Sequence, residues 1–427
     1  MRSVIVRWLM PALLIFRVHG QAGRESLTLD DCVRLAENAP SAVRLARQQT
    51  EIARYGIAQA RAGFLPQFAL GTSYTYNSPL PYSPNEFSFV ALNGIREYTG
   101  VGAASVDLDT SGRLRAALDR ARADRDAANA TLGLSARDLK HAVAVSFYRV
   151  LLARKLLEAA QANLAEARSF EDRIRKLVEN GESAQADLVK ASLQTAQLDQ
   201  TQQQLQLEAR LANHDLASFW TSDVDVPLVL ADVIDQTPKA PEAPQPGNPA
   251  PFMRRLEFHL FDAQQLGFLA DARLAKAALR PQASLVFQYG IDSPALSFRD
   301  RGYAGFVRLN IPVFDWFRTR SAARQYELQA QQVETDRAIT QRVFSKEYQD
   351  ALAKAELIYA QIPSADAQMK LGEDNLRLSR IRYEGGEGPA LDVVVAQAQL
   401  VQARVNYYTV RARYLTALAD LEVSKGQ

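Results

Sequence analysis

A single cysteine, Cys32, in 427 residues excludes an internal disulfide framework. Four dispersed histidines make no His/Cys cluster at zinc spacing, so neither a metal nor any other cofactor is expected. Four methionines give no sulfur-rich cluster of the kind that would hint at copper or silver. An excess of one charge is missing too. Lys and Arg number 50 against 48 Asp and Glu, a net of +2 with no basic run, which leaves no footprint for nucleic acid. No nucleophile, base and metal come together in the sequence, so an enzyme is not expected. Hydrophobic runs are confined to the amino terminus, where Arg2 and Arg7 accompany Val4, Ile5, Val6, Trp8, Leu9 and the stretch Ala12 to Phe16, with Gly20, Ala22 and Gly23 behind. That is the layout of an export signal over residues 1–23. A short membrane anchor is the other reading, although the run falls short of the roughly 20 residues of a span. Cys32 follows two aspartates rather than small residues, so a lipid anchor there is not expected.

Proline is absent and glycine almost absent from Arg113 to Asn180, with Gly133 the one interior exception before Gly181. Good helix formers fill the stretch, and at about 1.5 Å per residue it would make a rod of roughly 100 Å. An average globular helix has only about 11 or 12 residues. A pattern this long implies a coiled coil, a membrane span or a helical repeat, and the charges of Arg120, Asp124, Lys140, Arg154 and Glu166 exclude the span. The rod stands in water and packs on other helices.

Around the rod the chain repeats itself. The first unit, 27–220, opens on Thr28 and Asp31 as a capping-box-like start, with Pro40 dividing two helices. A hairpin over 66–109 follows, in which Phe68, Leu70, Thr72, Tyr74 and Tyr76 alternate with Gln67, Ala69, Gly71, Ser73 and Thr75. Its return strand sets Gly102, Ala104, Val106 and Leu108 against Ser105, Asp107 and Asp109, and residues 77–97 read as a long loop. Long helices then span 113–180 and 184–220. A Pro-rich stretch, 221–251, reads as a linker. The second unit, 252–427, has a hairpin over 281–313 and helices over 315–384 and 391–424, with an interruption and kink expected at Pro363. In that hairpin Leu285, Phe287 and Tyr289 oppose Ser284 and Gln288, and Val307 and Leu309 oppose Arg308 and Asn310; Phe306 breaks the alternation. Heptad seams are expected through Ala184, Ala191, Leu198, Leu205 and Ala212, joined by Leu188, Thr195 and Ala209, and through Leu391, Ala398, Val405, Ala412 and Ala419, joined by Val394, Val401, Tyr408 and Leu415. Leu65, Pro66 and Gln67 align with Arg280, Pro281 and Gln282, and Gly181, Glu182, Asp187 and Ala191 with Gly386, Glu387, Asp392 and Ala396.

Each strand has about ten residues, enough to cross a bilayer when tilted. Four strands cannot close a barrel, and open edges are not tolerated in lipid. Several chains must share one barrel: two would give eight strands, largely filled by side chains, whereas three would give twelve and leave a conduit. A soluble periplasmic coiled-coil scaffold is the alternative, since a half-buried soluble hairpin alternates as well.

The opening LTLDDCVRLAENAP, the segment NIPVFDWFRTRSAARQ before the second rod and the paired turns NGESAQADLVKA and GGEGPALDVVVA resemble the TolC-type outer membrane efflux channels, over nearly the whole chain from Leu27 to Lys425. The resemblance implies a mainly α protein with transmembrane β-hairpins: a homotrimer with a twelve-stranded shared barrel in outer membrane lipid and a periplasmic α-barrel tunnel. It implies a passive duct coupled to an inner-membrane pump through a periplasmic adaptor, for small molecules or for type I protein secretion. The gate it implies uses Tyr383 and Asp187 as a latch and Asp392 as a charged ring. The turns Gly181, Glu182, Ser183, Gly385, Gly386 and Gly388 would dock the adaptor, and Asp107, Arg308 and Asn310 would face the barrel lumen. Gly388 and Val395 stand where the family offers an arginine latch and a second ring aspartate. Each gate residue has a structural reading beside this one: Tyr383 as a packed helix-end aromatic, Asp187 and Asp392 as acids favoured at helix starts.

Overall fold

The computed structural model describes residues 26–80, 82–87, 94–241 and 250–426. The export-signal segment 1–23 lies outside them, as do parts of the first hairpin loop and of the Pro-rich stretch.

Two short helices, α1 (Leu29–Asn38) and α2 (Ala42–Ala62), open the chain. Thr28 caps α1: its hydroxyl accepts from the Asp31 amide at 3.2 Å while Asp31 accepts from the Thr28 amide at 3.1 Å. Strand β1 (Gln67–Tyr76) follows, and β4 (Arg96–Leu108) returns antiparallel to it. The stretch between is not all loop, because β2 (Pro79–Leu80) and β3 (Ser83–Phe87) pair into a small hairpin of their own. Then come α3 (Arg113–Glu179) and α4 (Gln185–Ala217). The second unit comprises α5 (Leu256–Ala277), β5 (Gln282–Ser293), β6 (Arg301–Asn310), α6 (Arg318–Glu384) and α7 (Ala390–Lys425). Helix α6 is not interrupted at Pro363. It passes through as one helix, held there by Ile362 and Ala365 packing on Val410 and Tyr414 of α7.

The two hairpins join into one antiparallel sheet in the order β1-β4-β5-β6. Below it the helices pair side by side, α3 against α4, α5 and α7, and α6 against α5 and α7. Because α7 touches two neighbours it carries two apolar stripes. Val393, Ala396, Leu400, Ala403, Val410, Tyr414, Ala417 and Leu421 form the more buried one, spaced by threes and fours except for one step of seven from Ala403 to Val410. The seam expected from the sequence is only partly the other: Leu391 and Ala398 are exposed, whereas Val401, Tyr408 and Leu415 pack against clusters of α3 and α4 and Val394 against the core shared by all four long helices, because the second stripe faces two different helices along its length.

Residues 221–241 are a strap rather than a free linker. Leu228, Leu230 and Ile234 are buried with Cys32, Phe147, Val150 and Leu216 in one core cluster, and Leu230 bridges Leu27. Polar bonds fasten the strap's backbone: Arg154 donates to the Leu228 carbonyl at 2.8 Å, Asn213 to that of Val226 at 2.9 Å and Arg411 to that of Ile234 at 3.1 Å. Tyr414 donates to the Lys239 carbonyl. Lys155 pairs with Asp232 at 2.6 Å and Asp235 at 2.7 Å. Proline count suggested a spacer; buried leucines between the prolines decide otherwise.

Candidate functional site

Two regions concentrate the chemistry, the sheet and the far tips of the long helices. Directly paired strand residues share a face, so the register sorts the sheet into two surfaces. One surface carries Phe68, Leu70, Tyr74, Leu285, Phe287, Tyr303, Val307 and Leu309, and it is open: Phe68 is 81% and Tyr303 80% exposed. On the other, Asp107, Ser284 and Arg308 lie in one row across β4, β5 and β6, with Gln282 opposite Asn310 one row below. The sheet thus brings Asp107, Arg308 and Asn310 together around a crevice of about 140 Å³. Asp107 pairs with Arg113 at 2.6 Å, while Asp109 turns away to accept from the Leu114 amide at 2.8 Å, capping α3. Strands β1 and β6 each have one edge without a strand partner among the described residues.

At the base of the sheet the sequence reading missed an aromatic knot. Phe314 meets Trp316 at 5.1 Å and Phe317 at 5.8 Å between ring centres, all three exposed. Trp316 and Phe317 hold left-handed φ angles of 55° and 62°, a conformation costly for bulky residues. Asp315 fixes the turn by accepting from the Thr319 amide at 2.8 Å.

At the tips, each long helix ends in the same way. The Gly181 amide donates to the Val178 carbonyl and the Glu182 amide to that of Leu177; Gly386 and Glu387 do the same with Tyr383 and Arg382. These are Schellman turns, and the residue at their left-handed position is glycine each time, φ 77° at Gly181 and 73° at Gly386. Ser183, Gly385 and Gly388 complete the turns. Asp187 and Asp392 occupy the first turns of α4 and α7, where a carboxylate meets the positive end of the helix dipole.

The structure does not join Tyr383 to Asp187. Tyr383 packs edge-on against Phe170 of α3, with ring centres 5.4 Å apart, and Asp187 pairs with Lys190 at 3.6 Å. Asp392 is exposed. What ties the second helical hairpin to the first is a set of contacts absent from the sequence reading: Arg173 with Glu384, Arg380 with Glu166 at 3.7 Å, and Arg404 with both Asn163 of α3 and Glu373 of α6. No local motif announces pairs so distant in sequence. Phe170 precedes the end of α3 by more than two turns, whereas Tyr383 sits one residue from the end of α6. The α3/α4 turn therefore extends beyond the α6/α7 turn by roughly 12 Å measured along α3. Beneath the contact, Phe170, Ile174, Ala191, Leu376, Val393 and Leu400 form a core shared by all four helices.

Glu171 links α3 to α4 by accepting from Ser192 at 2.9 Å and pairing with Arg175 at 2.8 Å. Burial opposes its ionisation, but hydrogen bonds from Thr195 and Ser192 and the Arg175 charge outweigh it and hold the carboxyl below its usual range.

The chain thus consists of paired long helices topped by a two-faced, four-stranded sheet whose outer strands β1 and β6 each leave one edge open among the described residues. The chain belongs to the outer membrane efflux protein family, which matches residues 33–220 and 262–427, one stretch in each repeat. No curated protein sequence matches it significantly. Among solved structures the fold is similar to the outer membrane protein VceC from Vibrio cholerae, with TM-score 0.79, 18% identity and 93% of this chain on 96% of that one. It is also similar to the CmeC outer membrane channel of Campylobacter jejuni, with TM-score 0.81, 15% identity, and 93% on 85%. The open state of the MtrE outer membrane channel of Neisseria gonorrhoeae gives TM-score 0.80, 19% identity, and 93% on 88%.

Proposed function

We propose that three copies of this chain close into a passive duct that spans the outer membrane and projects into the periplasm, where an adaptor couples it to an inner-membrane pump. The observation that carries this reading is the sheet: an exposed apolar face, a polar opposite face, and two unpaired edges. In the order β1-β4-β5-β6 with every pairing antiparallel, β6 of one copy meets β1 of the next antiparallel, so three copies close a twelve-stranded barrel with no edge left. The apolar face then meets lipid and the row Asp107, Ser284, Arg308 meets water. The knot of Phe314, Trp316 and Phe317 falls at the boundary between the two, where the Trp316 indole, apolar in body with a polar N–H, is favoured.

In this reading the tips are the gate. The bore widens when the tips of α6 and α7 leave α3, which requires parting Arg173 from Glu384, Arg380 from Glu166, Arg404 from Asn163 and Tyr383 from Phe170, and loosening the shared core of Phe170, Ile174, Leu376, Val393 and Leu400 beneath them. Ion pairs near the surface are worth about 0.2–1 kcal/mol each, so the polar part of the latch is light and the apolar core is the larger resistance that a docking partner has to overcome. The turns at Gly181, Glu182 and Ser183 and at Gly385, Gly386 and Gly388 present the adaptor surface. Three Asp392 carboxylates near the mouth favour cations. The test is conductance in planar bilayers. Wild-type protein should give discrete steps, and a variant combining Arg173→Ala with Arg380→Ala should give larger or more frequent ones. Protein that inserts without any steps in either form would contradict the duct; unchanged steps in the variant would contradict the latch alone.

A further inference from the structure

Phe306 is the residue that breaks the alternation of β6, and its position gives that departure a role. It lies on the polar face opposite Val286, in a row completed by Ser105 and Gln67. The next row up is Ala304, Gln288, Ala103 and Ala69, and the one above it is Gly302, Gly290, Val101 and Gly71. Below, by two residues or roughly 7 Å along the strand, is the charged row of Asp107 and Arg308. The phenyl ring thus stands out from a wall of small side chains just above a charged layer. It is 45% exposed.

Assembly does not cover it. Phe306 is on edge strand β6, and whichever register β1 of the next copy adopts, the residue brought beside it on this face is Gln67, Ala69, Gly71, Ser73 or Thr75. Only Gln67 is long, and its amide already donates to the carbonyls of Ala62 at 2.9 Å and Leu65 at 3.2 Å. Resting on the duct reading, we infer that Phe306 and Val286, repeated three times, form an apolar collar in the barrel lumen that makes transient contact with the aromatic or alkyl part of passing organic solutes. Small hydrated ions gain nothing from it. The collar is therefore a specificity element for amphipathic organic cargo.

Cys32 is the sole cysteine and is fully buried, so introduced thiols can be read without background. Phe306→Cys, Val307→Cys and Arg308→Cys place thiols on alternate faces; in reconstituted vesicles a charged, water-soluble thiol reagent should label the first and third and spare the second. In bilayers, tetraphenylphosphonium should block wild-type current more strongly than tetramethylammonium, and Phe306→Ser should weaken the aromatic ion's advantage roughly three- to tenfold, the scale of an aromatic contact. Each variant is first checked for the heat-dissociable oligomer. If the thiol of Phe306→Cys is protected while that of Arg308→Cys reacts, the ring is covered at the seam and the collar is wrong, with the duct intact. An unchanged block ratio in Phe306→Ser also overturns the collar. If Val307→Cys alone is labelled, the faces are reversed and the duct reading falls with it.

Discussion

Glu257 shows how much a single side chain does in the upper half of the helical wall. It lies in the first turn of α5 and meets Arg137 of α3 at 3.0 Å and Arg255 at 2.7 Å. Arg255 in turn reaches Glu347 of α6 at 2.8 Å and lies 3.5 Å over the Phe344 ring. Burial works against the Glu257 charge, but the hydrogen bond from Arg255 and the charges of Arg255 and Arg137 prevail and hold its carboxyl below the ordinary value. A carboxyl with a depressed folded pKa adds stability that is complete above its unfolded pKa of about 4.3 and is lost as pH falls through the folded value. Breaking a buried pair costs on the order of 3 kcal/mol. Glu257→Gln should therefore lower the denaturation midpoint at pH 7, and the gap from wild type should shrink below about pH 4. A gap independent of pH would show that lost packing, not charge, is responsible. The placement of candidate residues was legible unevenly at this scale. The left-handed turn positions of Gly181 and Gly386 declare themselves because an ending helix needs such a residue, and the common sheet face of Asp107, Arg308 and Asn310 because strand alternation fixes a face. Arg173 and Glu384 could not be found, since their meeting depends on how far one hairpin slides past the other.

Among the elements, the strap at 221–241 is the one whose role composition disguises. Ile234 is 1% exposed and sits in a cluster with Phe147 and Leu216, between the backbone bonds made by Arg154 and Arg411. Truncating a buried isoleucine costs about 2–5 kcal/mol. In Ile234→Ala the cost falls on the strap first, so limited proteolysis should cut within 221–241 faster than in wild type while circular dichroism retains the helix signal. Equal cutting rates would mean that the polar bonds alone hold the strap. Strands β1 and β5 were readable because alternation of Phe68, Leu70 and Tyr74, and of Leu285, Phe287 and Tyr289, is a local property. The small β2–β3 hairpin was not, since three prolines near it argue for loop. Helix α6 passing through Pro363 is the same lesson reversed: packing of Ile362 and Ala365 on α7 overrides a residue that local rules treat as a break.

At the scale of the whole molecule, the sheet ends in β1 and β6, each paired on one side and without a strand partner on the other among the described residues. Helices α2 and α6, at the two sides of the upper wall, expose Leu45, Ile52 and Tyr55 on one and Leu328, Ile339 and Val343 on the other. In the proposed trimer the rotation that extends the sheet would also bring α2 of one copy toward α6 of the next, where these exposed residues lie. Duplication within the chain was plain from the paired turns, and in the proposed trimer it would set six similar units around one axis. The decisive measurement is the native mass of the exported protein, extracted from the outer membrane in mild detergent. Three chains per particle, separating to single chains on heating, is the predicted result; a single chain released with the soluble periplasmic fraction would contradict the shared barrel.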